Sequence, residues 1–129
     1  MRFTLIDRVI EQNNVTIKTV KAVTSAEEYL GDHFPGFPVL PGVMMLESLV
    51  QAGRALAKGL ADGPRLPLVV SEVPNIKYGN MVRPGQTLEV TVDLKGQKDK
   101  QYEFTGVGMV DGQVAVKGKF KLAELEPAQ

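Results

Sequence analysis

A chain of 129 residues, 43% of them hydrophobic, is the size of one compact domain, long enough for a single core and too short for two. Its 15 basic and 15 acidic side chains cancel, so no global field draws it to nucleic acid or to an anionic membrane, and a charged partner has to be met locally. The absence of cysteine removes disulfides, thiol catalysis and thiolate metal sites together.

The first segment, Phe3 to Glu11, is apolar-rich and broken by Arg2, Asp7 and Arg8 around it, so it lacks the unbroken apolar stretch of a signal peptide. The cytoplasm is the expected compartment. The turn signal Gln12-Asn13-Asn14 separates this segment from β-branched Val15 to Val23, which predicts a hairpin. The alternation slips near Thr19 and Val20, where a bulge is expected. From Gly42 to Lys58 the pattern becomes helical, with Val43, Met44, Leu46, Leu49, Val50 and Ala57 covering most of the circumference. Pro41 suits the first turn, and Gly59 stands where a left-handed C-terminal residue is wanted. The longest apolar run, Val43 to Val50, contains Glu47 and falls far short of the roughly 20 residues that cross a bilayer. Membrane insertion is therefore not expected.

Ala61 to Pro67 reads as a helix-to-sheet connection, and everything beyond it as strand: Leu68 to Val73, Lys77 to Val82, Thr87 to Leu94, Gln101 to Val110 and Gln113 to Leu122. Pro84-Gly85 and Asp111-Gly112 supply turns, the second of them the pair favoured in tight hairpins. The second half is expected to be an antiparallel meander. One apolar helix among antiparallel strands has to bury its face on them, so the predicted class is α+β, a long helix embraced by a curved sheet.

The chemically dense stretch leads into that helix. It runs Gly31-Asp32-His33-Phe34-Pro35-Gly36-Phe37-Pro38-Val39-Leu40-Pro41-Gly42-Val43 and holds the only histidine of the chain. Prolines at 35, 38 and 41 stiffen it, which suits a catalytic group. Gly42 and Val43 carry first-turn N–H groups that can stabilise a developing oxyanion. Glu47 lies one turn further among apolar neighbours, where desolvation would keep its proton on. A base and an acid are thus both available for proton transfer. The plainer readings stand beside this one. Glu47, Gln51, Arg54 and Lys58 recur at helical spacing and can simply be the wetted stripe of an amphipathic helix. A lone loop histidine is more often a surface or hydrogen-bonded residue than a catalyst.

The run from His33 through Gly36, Leu40, Pro41, Gly42, Val43 and Glu47 to Gln51 closely resembles the signature of the β-hydroxyacyl-acyl-carrier-protein dehydratases of bacterial fatty-acid synthesis. The likeness extends through Phe3 to Val9, Val82 to Gln86 and Phe104 to Gly112. It implies a hot-dog fold over residues 1–129 and a (3R)-hydroxyacyl-thioester dehydratase, a hydro-lyase. It also implies His33 and Glu47 as the catalytic pair, drawn from different protomers of a homodimer or of a higher assembly of dimers. By the same resemblance Gly42, with Val43 beside it, takes the helix-start position whose N–H binds the thioester carbonyl. Val39 takes the position whose carbonyl orients the histidine, and Gln51 a place beside the acid with an orienting hydrogen bond. No metal or redox cofactor is expected. The substrate is expected on the phosphopantetheine of an acyl carrier protein, with Lys77 and Arg83, and further out Lys95, Lys98 and Lys100, as candidates for a basic docking patch. Lysines in strand-edge turns are ordinarily just solvating.

Two departures bear on specificity. The chain begins almost at its first strand, where housekeeping members have an extra N-terminal stretch. Asp32 replaces the glycine usual before the histidine, a feature resembling the decanoyl-type dehydratases that also isomerise. Those carry aspartate where this chain has Glu47, so dehydration without isomerisation is expected. Two alternatives remain on the residues alone: a hot-dog thioesterase, in which the acid would activate water, and a non-catalytic acyl-carrier-binding protein.

Overall fold

The computed structural model describes residues 4–23 and 40–125, and the two sequence periodicities build it directly. Strands β1 (Arg8–Gln12) and β2 (Thr16–Ala22) precede helix α1 (Gly42–Lys58), which is followed by β3 (Leu68–Tyr78), β4 (Thr87–Lys98), β5 (Gln101–Val110) and β6 (Gln113–Glu124). In β4, Leu88, Val90 and Val92 turn inward, and in β5 Tyr102, Phe104, Gly106, Gly108 and Val110 do the same. The strands form one six-stranded antiparallel sheet in the order β1-β2-β4-β5-β6-β3. Helix α1 packs on its apolar face, the hot-dog arrangement expected of the chain.

Two close approaches seat the helix. A Cβ on Gly53 would lie 3.0 Å from the Phe120 ring, and one on Gly106 would lie 3.2 Å from the Leu49 side chain. Helix and sheet thus each provide one glycine where the other presents a bulky group. Phe120 is stacked in turn on Phe104, with ring centroids 5.1 Å apart.

The bounds of α1 agree with the sequence reading, but its C-terminus closes differently. Gly59 has φ −80° and ψ −7°, a right-handed conformation, and its N–H reaches the Ala55 and Leu56 carbonyls, both at 3.2 Å. The Gln12 side chain donates to Ala55 O at 3.2 Å. A side chain brought from another strand therefore satisfies a carbonyl that a left-handed glycine was expected to help cap.

Three strand expectations change. The first strand is shorter than expected, because Leu5 gives its backbone groups to the helix: its N–H donates to Gln51 Oε1 at 2.8 Å and its carbonyl accepts from Ser48 Oγ at 3.0 Å. The bulge lies in β1, between Val9 and Glu11, while β2 pairs with β4 without interruption. The apparent slip in β2 arises because polar Thr19 and Lys21 occupy inward positions beside Ile17. Leu68 to Val73 and Lys77 to Val82 are not two strands. They are replaced by the single β3, which carries register shifts between Val70 and Glu72 and between Glu72 and Asn75.

The meander holds for β4, β5 and β6, but β3 pairs with β6 at the far edge and not with β4. The β3–β4 connection is tied to β6 by Gly79 N–H to Ala115 O and Asn80 N–H to Val114 O, each 2.9 Å. No helix among the described residues is long and apolar enough to cross a membrane.

Candidate active site

The start of α1 is held from three sides. Leu40 N–H donates to Val82 O at 2.7 Å, which fixes the chain entering the helix. Pro41 takes the N-cap position with φ −59° and ψ 147°. The Tyr78 ring, at the end of β3, lies against Gly42 so closely that a Cβ there would meet it at 3.1 Å. Glycine at 42 therefore leaves room for an aromatic wall beside the helix N-terminus. First-turn N–H groups have no partner within their own helix, and the positive end of the helix dipole lies here.

From this end a groove of about 900 Å³ runs along α1, lined on the helix side by Val43, Met44, Glu47, Gln51, Arg54 and Lys58. Thr4, Leu68, Val69 and Leu125 form its other walls. The stripe that read as a wetted helix face thus lines a groove. Its members Glu47, Gln51 and Arg54 are half-buried, while Lys58 is exposed. Val43 and Glu47 are one helical turn apart, about 6 Å along the axis.

The surroundings of Glu47 differ from the expectation of an enclosed acid. Its side chain is 39% exposed, and Oε1 lies 3.3 Å from Arg54 Nη1. Apolar neighbours at adjacent positions in sequence point to other sides of the helix, so within one chain they do not cover the carboxyl. Arg54 Nε donates to Leu68 O at 3.0 Å, which links the helix to the first residue of β3. Gln51 Oε1 accepts from the Leu5 N–H at 2.8 Å, a contact that ties the helix to the segment before β1.

His33 and Val39 lie outside the described residues, as does Asp32. Lys77 and Arg83 are both exposed but belong to different features. Lys77 stands opposite Lys117 across β3 and β6, and with Lys119 and Asn75 it lines a depression of about 410 Å³ on the sheet face away from α1. Arg83 sits in the Pro84-Gly85 turn, where its N–H donates to Gln86 Oε1 at 2.8 Å.

Sequence reading missed the roles of Arg54 and Tyr78. The signal for Arg54 was present: seven residues at 100° each fall about 20° short of two turns, so Glu47 and Arg54 share a face. Tyr78 carried none, because only the tertiary fold brings the end of β3 to the helix start.

Comparison with known proteins adds to this geometry. Residues 9–119 match the ApeI-like family, described as ApeI dehydratase. The chain is 36% identical over 125 residues to a 3-hydroxyacyl-[acyl-carrier-protein] dehydratase FabZ of Wolbachia pipientis, covering 96% of this chain and 87% of the relative. It is 34% identical over 120 residues to the FabZ of Rickettsia felis, covering 92% and 83%. Among solved structures, the ApeI:P dehydratase heterocomplex of Xenorhabdus doucetiae superposes with a TM-score of 0.72 at 22% identity, covering 95% of this chain and all of that one. A mouse thioesterase superfamily member 2 superposes with 0.71 at 13% identity, covering 92% and 81%. At these identities the structural likenesses speak for the fold alone.

Proposed function

The chain belongs to the hot-dog dehydratases, in the ApeI-like family, and from that premise we propose that it removes water from a (3R)-3-hydroxyacyl thioester held on an acyl carrier protein. The product is the trans-2-enoyl thioester. The observation that carries the reading is that Val43, next to Gly42 at the helix start, and the Glu47 carboxyl group line one groove. An oxyanion donor and an acid can thus act on a single bound substrate.

In the proposed reaction the neutral imidazole of His33 takes the proton from C2, and the electron pair of the broken C–H bond forms the C2–C3 double bond. Glu47 protonates the hydroxyl on C3, whose bond to carbon breaks to release water. Gly42 N–H, at the positive end of α1, takes up the charge that develops on the thioester oxygen, and Val39 carbonyl orients the imidazole. One such donor contributes about 3 kcal/mol to lowering a barrier of this kind. Proton return from His33 to Glu47 through solvent resets the pair. The scheme consists of proton transfers, and no metal or redox group has a step in it.

The proposal places His33 and Glu47 on different protomers of a homodimer. Two features support it: the open side of the Glu47 groove, and the long edge strand β3, which pairs with β6 and exposes Val69 and Val70. Lys77 and Arg83 remain proposed contacts for the acidic carrier, as separate points and not one patch.

The test follows enoyl-thioester absorbance on a (3R)-hydroxyacyl carrier thioester, with His33→Ala and Glu47→Gln beside the wild type. Conjugated product from the wild type and a fall of at least about a hundredfold in each variant are expected. Free thiol in place of enoyl product would sink the dehydratase reading in favour of a thioesterase. Carrier binding without either product at several chain lengths would leave a non-catalytic binder.

A further inference from the structure

We infer that Arg54 is a positioning residue for Glu47, holding Oε1 of its carboxyl group in the groove, with the other oxygen carrying the proton to be delivered, through a guanidinium that is itself pinned to β3. The inference rests on the assignment of Glu47 as the acid. Two different nitrogens of one planar group are engaged: Nε donates to Leu68 O at 3.0 Å, and Nη1 lies 3.3 Å from Glu47 Oε1. Because the guanidinium is rigid, fixing Nε on a main-chain carbonyl also fixes the direction in which Nη1 points.

Stability gives little reason for this bridge. A part-exposed charged contact on a helix face contributes little to stability, since solvent screens it. Rate is far more sensitive to position, since a misplacement of about 1 Å at a reacting group can cost on the order of a hundredfold. Glu47 needs such a constraint because its side chain is flexible and 39% exposed, with a wide groove in front of it. Of the other groove walls near it, Met44, Leu68 and Val69 are apolar, and Gln51, one turn further on, has its Oε1 committed to Leu5 N–H. Lysine could not replace arginine fully, because one ammonium at the end of a flexible stem cannot hold both contacts in a fixed relation.

The test uses Arg54→Gln and Arg54→Ala in the full chain. Glutamine keeps an N–H where arginine has Nε, so the Leu68 contact can survive while the one to Glu47 is lost. Arg54→Gln is expected to melt with the wild type and to lose about tenfold or more in kcat, with KM changed by less than about twofold. Guanidinium ion at non-denaturing concentration is expected to restore part of the rate of Arg54→Ala. In a Glu47→Gln background, where residual single turnover is followed with excess enzyme, Arg54→Gln is expected to cost nothing further. Wild-type kcat in Arg54→Gln would overturn the inference, as would a loss confined to KM or an equal loss in the Glu47→Gln background. Wild-type turnover by Glu47→Gln alone would instead remove the acid assignment, and the inference with it.

Discussion

Glu47 and Arg54 show how the same side chain carries different meaning in sequence and in space. The spacing put both on one face of α1, but the contact that gives Arg54 its direction, the Leu68 carbonyl at 3.0 Å, comes from a strand fourteen residues away. Inward-facing Thr19 and Lys21 make the same point in reverse. Polar by type, they were read as a break in alternation, yet both are buried, and Lys21 Nζ lies 3.4 Å from Asp7 Oδ1. Tyr102 acts through its environment in alkali. Burial of Tyr102, followed by the nearby charges of Glu124 and Asp62, raises its phenol above the ordinary value of 10.0. As pH rises past that ordinary value, the unfolded chain releases a proton that the folded chain still holds, so stability falls. Below it the contribution is fully present. Tyr102→Phe is therefore expected to lose less melting temperature than the wild type between about pH 9 and pH 11, read from thermal melts across that range. Equal losses in the two proteins would place the alkaline sensitivity elsewhere.

At the scale of elements, turns divide into those written in the residues and those imposed by pairing. Asp111 and Gly112 have φ of 49° and 77°, the tight hairpin turn that their identities announce. Pro84-Gly85 behaves likewise, with Gly85 at φ 91° and Gln86 N–H closing on Arg83 O at 3.0 Å. Asp99 and Lys100, at φ 52° and 66°, make a two-residue turn without any glycine. The pairing of Lys98 with Gln101 requires that turn, and nothing in its composition pointed to it. The Gly112 position isolates the backbone cost, since a Cβ there would meet nothing within 4 Å. Gly112→Ala is expected to destabilise the fold by about 1–2 kcal/mol through the left-handed conformation alone. A urea midpoint that falls while the slope stays constant would show this; an unchanged midpoint would mean that the turn relaxes without loss.

For the whole molecule the edge strand β3 is the decisive feature. It is eleven residues long and lies at the end of the sheet order, with Val69 and Val70 37% and 41% exposed. Natural proteins cover or blunt such edges, and the proposed pairing with a second copy would cover this one with its own likeness. Val70→Lys places a charge on that edge. It is expected to convert a dimer to a monomer in light scattering and to abolish dehydration together with the dimer, because the proposed pair then no longer meets. A monomeric variant with full activity would mean that His33 and Glu47 act within one chain.

The class of the fold, the bounds of the helix and two turns were legible in the residues alone, because each follows from local periodicity or from a residue with restricted backbone geometry. The residues also marked Glu47 and the stripe through Gln51, Arg54 and Lys58, since helical spacing fixes a face without any knowledge of what that face meets. That the stripe lines a groove, that Arg54 joins Glu47 to β3, that Tyr78 walls the helix start and that β3 lies beyond β6 came from the folded chain. Each of these depends on a contact between segments distant in the chain, and the energy of such a contact is invisible to any local pattern.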